Sequence, residues 1–220
     1  LAVMVYVMVK QQFFQLADIA RDLAGSIRLT LRQDMVLQWV PNEGLYALYQ
    51  KLSAVDMVEA GANELSDVVS CPGTESCALG ITSSQGMAGN LWDALKDYKA
   101  DDKLASAIRI NVSGCPDGCG HHHMGNIGFQ GAATKNGNAQ VPSYEVYMGG
   151  SQIAPVRIGK RLKVKIPSKR IEEAVHIIVD NYVANRKVDE IFNDYVDRIG
   201  VDAYEGLLTP VSTVPPLDKD

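Results

Sequence analysis

Four cysteines carry the chemistry open to this 220-residue chain, and they fall in two short stretches, SCPGTESCALG at 70–80 and NVSGCPDGCGHHHMGNIGFQG at 111–131. Five residues separate Cys71 from Cys77, 37 separate Cys77 from Cys115, and three separate Cys115 from Cys119. Paired disulfides suit a secreted chain, and no export signal supports that reading. Structural zinc favours thiolates two to four residues apart in paired knuckles. The three-residue gap fits that pattern and the five-residue gap strains it. An iron-sulfur cube is wider than one ion and takes each thiolate from a wider loop, so it suits the spacing better. Pro72 and Pro116 each follow a cysteine, and Gly73, Gly114, Gly118 and Gly120 leave backbone amides free to approach sulfur and disperse negative charge. A Cys/His nucleophile pair leaves three cysteines unexplained. The glycines of CPDGCG lack the Gly-Lys-Ser/Thr of a phosphate loop.

These loops need a scaffold, and the hydrophobic pattern predicts one. An apolar strand at 2–9 leads into a helix with Phe13, Leu16, Ala17, Ala20, Leu23 and Ala24 at helical spacing, closed by Gly25. SIRLTLRQD then alternates, with Ile27, Leu29 and Leu31 on one face and Arg28, Thr30 and Arg32 on the other. MVLQWV continues as a strand to Pro41, and Asn42 is placed to cap a helix carrying Leu45, Leu48, Tyr49 and Leu52. This β-α-β-β-α order is half of a ferredoxin-like unit. GANELS at 61–66 reads as a connector. Beyond it, DVVSC enters the first cysteine loop as a short strand, and a helix ends near GNLWDALKDYKA. SAIRINVS is an alternating strand into GCPDGCG, with further strands at YEVYMGG and LKVKI. Ser168 is placed to cap a helix with Ile171, Ala174, Val175, Ile178 and Tyr182 on one stripe. Val188, Ile191, Phe192, Tyr195 and Ile199 mark a last helix, and TPVSTVPPLDKD reads as a loose tail.

Composition narrows the function classes. A hydrophobic share of 46% with 21% charged residues is that of a globular protein. A net charge of -5 with no Lys/Arg block offers nothing to nucleic acid. The longest apolar run, LAVMVYVMV at 1–9, is about half of the ~20 residues a membrane helix needs. It has no basic leader of the kind that opens a signal peptide. A reducing, cytoplasmic setting is therefore expected.

The paired stretches SCPGTESCALG and NVSGCPDGCGHHHMGNIGFQG resemble the double cysteine signature of the siroheme-containing nitrite and sulfite reductases. IRLTLRQDMVLQWV resembles the ferredoxin-like half that precedes their cluster domain, and RLKVKIPSKRIEEAV their C-terminal strand-helix unit. The similarity spans about 1–205. It implies an α+β chain: a ferredoxin-like half-domain at 1–62, a mixed-sheet siroheme and 4Fe-4S domain covered by helices at 63–207, and a tail at 208–220. It implies that Cys71, Cys77, Cys115 and Cys119 ligate a 4Fe-4S cluster, with Cys119 also the axial ligand of siroheme iron. It further implies six-electron reduction of sulfite to sulfide or nitrite to ammonia, with ferredoxin or a flavoprotein as donor. Complete members of the family carry a preceding half with most of the anion-gripping basic residues. The start at Leu1 is thus expected of a piece of a longer polypeptide, although half-length members resembling only this portion exist.

Siroheme carries carboxylates, and arginine pairs with carboxylate through a two-pronged fork. Arg28 and Arg32 are the candidate partners, with Arg109 and Asn111, on the polar face of the strand entering Cys115, of the same kind but weaker. Family members carry Gln-Asn where this chain has Gln33-Asp34, and no cofactor contact is assigned to Asp34. Adjacent residues of an extended chain point to opposite faces, so His121, His122 and His123 do not readily share one ion. They are expected to line the loop after Cys119, near a cluster sulfur, a siroheme carboxylate or a docked donor. His176, Lys163 and Lys165 read as surface residues. The competing functional readings are an iron-sulfur relay or scaffold subunit without siroheme, and a zinc-stabilised binding module.

Overall fold

A computed structural model describes residues 9–214 and, at the start of the chain, the strand Ala2–Val3. The chain divides into two compact units, Leu1–Ala62 and Asn63–Asp220.

The first unit runs β1 (Ala2–Val3), α1 (Lys10–Leu23), β2 (Ser26–Leu29), β3 (Met35–Gln38) and α2 (Leu45–Ser53). Its antiparallel sheet has the order β1-β3-β2. Of the strand expected over 2–9, residues 4–8 lie outside the described residues. Leu16, Ile19 and Ala20 of α1 pack with Met35, Leu37, Leu48 and Leu52 in a small core. The Gln12 carboxamide accepts from Val9 N–H and donates to the Val55 carbonyl, tying the start of α1 to the chain beyond α2.

Several local expectations differ here. Phe13 is exposed and Ile19 takes its place in the core. Ile27 and Leu29 share a sheet face with the buried Leu37 and Met35 opposite them, yet Leu29 is 76% exposed, because β2 is the edge strand. Arg32 does not share a strand face with Arg28. The Thr30 hydroxyl accepts the amides of Arg32 and Asp34, which ends the strand and folds 30–34 into a turn. Asn42 opens a 3-10 turn ahead of α2 without a side-chain cap.

The second unit holds a five-stranded mixed sheet in the order β4-β5-β6-β7-β8: β4 (Val69–Ser70), β5 (Ile110–Ser113), β6 (Ile127–Asn136), β7 (Ala139–Met148) and β8 (Lys160–Pro167). The first three strands are parallel, and β6 to β8 run antiparallel. A two-residue turn joins β6 to β7, and Gly137, at φ +59°, supplies the left-handed backbone that such a hairpin requires. Helices α3 (Ser84–Leu95), α4 (Lys103–Ser106), α5 (Ile171–Asn185), α6 (Phe192–Ile199) and α7 (Val201–Ser212) complete the unit. The stripe Ile171, Ala174, Val175, Ile178 and Tyr182 of α5 is wholly buried in the core that α3, the sheet and α7 share.

All four residues of β5 are buried, so the alternation read in SAIRINVS is not one of core against solvent. Asn111 and Ser113 face the interior of the fold because β5 is flanked on both sides by parallel neighbours. Ser168 begins a 3-10 turn, and among the described residues its buried hydroxyl has no hydrogen-bond partner, so it does not cap α5. The expected tail at 208–220 is helical as far as Ser212, because Leu208 and Val211 pack into the core; residues 215–220 lie outside the described residues. Asp102 accepts the amides of Leu104 and Ala105 to cap α4 and takes a two-pronged pair from Arg186 at 2.9 and 2.7 Å. Burial opposes its charge, but Arg186 and those amides outweigh it and hold the carboxyl below its usual range.

Tyr204 is buried against Tyr195, and its hydroxyl has no hydrogen-bond partner among the described residues. Replacing a buried, unsatisfied hydroxyl by hydrogen removes a desolvation cost. Tyr204→Phe is therefore expected to leave the urea unfolding free energy unchanged or to raise it by up to about 1 kcal/mol. A clear loss of stability would show that the hydroxyl is paired.

Candidate metal centre

The two cysteine loops leave the same end of the sheet. Cys71 follows β4 and Cys115 follows β5, and these strands are adjacent and parallel, so both chain segments emerge side by side. The Cys71 N–H donates to the Val112 carbonyl, which extends the pairing of the strands into the first loop.

The peptide of Gly114 then joins the loops. Its N–H donates to Cys71 Sγ at 3.1 Å, and its carbonyl accepts from the amides of Ile81 at 2.9 Å and Thr82 at 3.1 Å. Thr82 Oγ1 donates to the same carbonyl. The first loop closes on itself through Cys77 N–H to the Gly73 carbonyl and Gly80 N–H to the Cys77 carbonyl. Gly73 has φ +60°, and a Cβ there would stand 2.4 Å from Ser84 Oγ.

A second set of bonds fixes the turn after Cys119. Asn111, 1% exposed, donates its amide to the Gly120 carbonyl at 2.9 Å. Ser113 Oγ accepts the Gly120 N–H at 3.1 Å and meets His122 Nδ1 at 2.9 Å. The three histidines separate: His121 is exposed in a left-handed conformation, His122 is buried, and His123 is half-buried. Burial is the main reason that His122 is pushed down to about 4, helped by the neighbouring His123.

All four cysteines are free thiols, which removes the disulfide reading. Cys71 and Cys115 are buried; Cys77 and Cys119 are exposed. The Asp117 amide favours the Cys115 thiolate, but burial and the charges of Asp117, Cys71 and Cys119 outweigh it and push the thiol up. Among the described residues no three His, Cys, Asp or Glu side chains come close enough to hold a single metal ion. Cys71 and Cys119 both act on the charge of Cys115, and the Gly114 and Asp117 amides donate to sulfur; this donor chemistry suits an iron-sulfur cluster, whose four irons take thiolates more widely spaced than one ion does.

The other sequence candidates each have surroundings of their own. Arg28 is exposed, with its Nε donating to Gln38 Oε1, and Arg32 is half-buried in the 30–34 turn. Arg109 precedes β5 at the end away from the cysteines, about 13 Å along the strand from Ser113. Asn111 is spent on Gly120. His176 packs its ring on Tyr98 at 4.5 Å. Lys163 and Lys165 pair with Glu205 and Glu145 at the surface. Ser84, Thr82 and Ser113 were not among the residues singled out. Only the polar run ITSSQG after the first cysteine loop hinted at the first two, and Ser113 was read merely as part of a strand.

This fold and donor set define an iron-sulfur domain on a mixed sheet. The chain belongs to the nitrite and sulphite reductase 4Fe-4S domain family, whose model matches residues 61–210, and the nitrite/sulfite reductase ferredoxin-like half domain matches residues 7–55. It is 28% identical over 190 residues to the sulfite reductase (NADPH) hemoprotein beta-component of Anoxybacillus flavithermus, covering 84% of this chain and 32% of that protein. It is 25% identical over 201 residues to the assimilatory ferredoxin-dependent nitrite reductase of Haloferax mediterranei, covering 90% and 34% respectively. The solved structure of the Mycobacterium tuberculosis NirA protein superposes with a TM-score of 0.80 at 25% identity, over 93% of this chain and 39% of that one. A dissimilatory sulfite reductase I structure shares the fold at a TM-score of 0.72 and 13% identity, over 97% of this chain and 68% of that one. The chain spans about a third of the length of the curated relatives it matches.

Two outcomes follow for the site. A Cβ on Gly120 would stand 1.8 Å from the Val112 carbonyl oxygen, a backbone atom with nowhere to go. Overpacking against backbone costs at least ~1–3 kcal/mol. Gly120→Ala is thus expected to lower the unfolding midpoint in denaturant well below that of Gly206→Ala in α7, whose Cβ meets nothing within 4 Å and whose φ is not in the left-handed region. Equal midpoints would contradict the packing. His122 has its folded value below the ordinary histidine value, so the unfolded chain binds the extra proton. Its contribution is complete above pH ~6.5 and is lost as the pH falls toward about 4. Nuclear magnetic resonance of the imidazole protons should show no titration of His122 between pH ~5.5 and ~8, and a midpoint near 6.5 would contradict its burial.

Proposed function

We propose that this chain is the cluster-bearing part of a siroheme-dependent reductase that takes sulfite to sulfide or nitrite to ammonia by six electrons. The observation that carries the reading is the meeting of two cysteine loops at the ends of adjacent parallel strands, with Gly114, beside Cys115, hydrogen-bonded to both ends of the loop that carries Cys71 and Cys77. Family membership supports the same chemistry, as do the sulfite and nitrite reductase relatives.

Cys71, Cys77, Cys115 and Cys119 are the proposed cluster ligands. Cys119 would also hold the siroheme iron; its exposed side chain can be reached by a second metal, whereas Cys71 and Cys115 are enclosed. Cys77 is exposed as well, so the choice of Cys119 rests on the family resemblance. When bound, siroheme supplies an open iron position for the anion and the cluster supplies electrons one at a time. The chain's own contribution is to hold the thiolates, direct amides at sulfur and keep water from the two buried ligands.

Arg28 and Arg32 are proposed to grip siroheme carboxylates, since a guanidinium fork matches a carboxylate. Arg109 is the weaker candidate, given its place at the far end of β5. Asn111 acts indirectly, through the turn after Cys119. The expected donor is ferredoxin or a flavoprotein, and the expected setting is the cytoplasm, where thiolates stay reduced. Among the described residues no helix is long and apolar enough to cross a membrane. The rest of the enzyme, including the basic residues that choose between the two anions, is proposed to lie in the same polypeptide.

The visible spectrum of anaerobically purified protein should show siroheme bands above iron-sulfur absorbance. Iron-sulfur absorbance alone would point to a relay subunit, and a colourless zinc-loaded sample to a binding module. In the full-length polypeptide, Cys119→Ser should abolish both sulfite and nitrite reduction. Unchanged turnover would refute the bridging role.

A further inference from the structure

Ser84 opens α3 and is 0% exposed. Its hydroxyl donates to the Cys71 carbonyl at 2.7 Å and lies 3.3 Å from Cys71 Sγ. The Gly114 N–H reaches the same sulfur at 3.1 Å. One Cys71 sulfur thus has two donors beside it, a fixed backbone amide and a hydroxyl that can turn about its own C–O bond.

The surroundings leave these groups to each other. A Cβ on Gly73 would come within 2.4 Å of Ser84 Oγ, and one on Gly114 within 3.2 Å, so both backbones close over the hydroxyl. With a free thiol, the sulfur proton can fill the contact with Ser84 while the serine proton goes to the carbonyl. A metal-bound thiolate has no proton, so only the serine hydroxyl can supply one. Hydrogen bonds to ligand sulfur are among the levers that set a cluster's reduction potential. A donor favours the form with more negative charge on sulfur, which is the reduced one, and so raises the potential.

We propose that Ser84 is a positioning residue that holds the cluster's reduction potential up by hydrogen-bonding the sulfur of Cys71. This rests on the cluster assignment made under Proposed function. Tyr182 provides the comparison: it is 0% exposed in α5, and its hydroxyl donates to the Glu190 carbonyl at 2.6 Å, away from the cysteine loops.

The test is a redox titration of the cluster-loaded full chain, poised with dithionite and mediators that deliver the one electron and read by electron paramagnetic resonance. Ser84→Ala should lower the reduced-to-oxidised ratio at a fixed potential about tenfold, which is ~59 mV for a one-electron couple. Tyr182→Phe, which removes a buried hydrogen bond away from the cysteine loops, should leave the ratio unchanged, and Ser84→Thr should restore it. Should Ser84→Ala not take up the cluster, Ser84→Gly replaces it with the same expected direction. An unchanged potential in the loss variant, or an equal shift in Tyr182→Phe, overturns the proposal. A parent chain that takes up no cluster overturns the underlying assignment and this proposal together, and is told apart by its lack of iron-sulfur absorbance.

Discussion

The peptide of Gly114 is held from both sides: its N–H points at the sulfur of Cys71, and its carbonyl takes the amides of Ile81 and Thr82. Four hydrogen bonds thus tie a residue next to Cys115 to both ends of the loop that carries Cys71 and Cys77. A side chain at 114 would strike Gly73 Cα at 2.8 Å, so the approach is open only to glycine. This contact brings the loop of Cys71 and Cys77 against the residue beside Cys115 and adds to the strand pairing that Cys71 makes with Val112.

The sheet makes the contact possible. Parallel neighbours β4 and β5 deliver their C-terminal ends together, and the buried Asn111 and Ser113 of β5 use their polar groups to pin Gly120 and His122 behind Cys119. Polar side chains on a buried central strand are costly unless paired. Here the pairing is with the loop itself, so the interior of the fold and the shape of the site are stabilised by the same bonds. The outcome is a graded donor set, with two enclosed thiols and two at the surface.

Much of the fold was legible because it is written in local pattern. The β-α-β-β-α order of the first unit and the apolar stripe of α5 follow from period and spacing alone. The misreadings share a cause: each depended on what lies across space. Phe13 has helical spacing yet stays exposed among the described residues, and Leu29 lies on the edge strand β2. The polar TPVS run continues α7 because Leu208 and Val211 find the core. At the site, the spacing of the cysteines identified the stretches that matter. The residues that position them, Asn111, Ser113, Thr82 and Ser84, carry ordinary polar side chains, and only the meeting of the loops gives those side chains their partners. Asn111 shows the difference most clearly, since a polar residue on an alternating strand reads as solvent-facing or cofactor-facing and is in fact spent on a backbone carbonyl.

The central claim is that four thiolates from two joined loops hold one cluster, and counting its atoms tests it most directly. Acid-labile sulfide and iron measured in the anaerobically purified chain, alongside its native mass, should give four sulfides and four cluster irons per chain, as the 4Fe-4S family predicts, with a fifth iron wherever siroheme is bound. Replacing either enclosed ligand, Cys71→Ser or Cys115→Ser, should remove both together. Metal bound without sulfide, or a full complement of iron and sulfide retained after either replacement, would contradict the account.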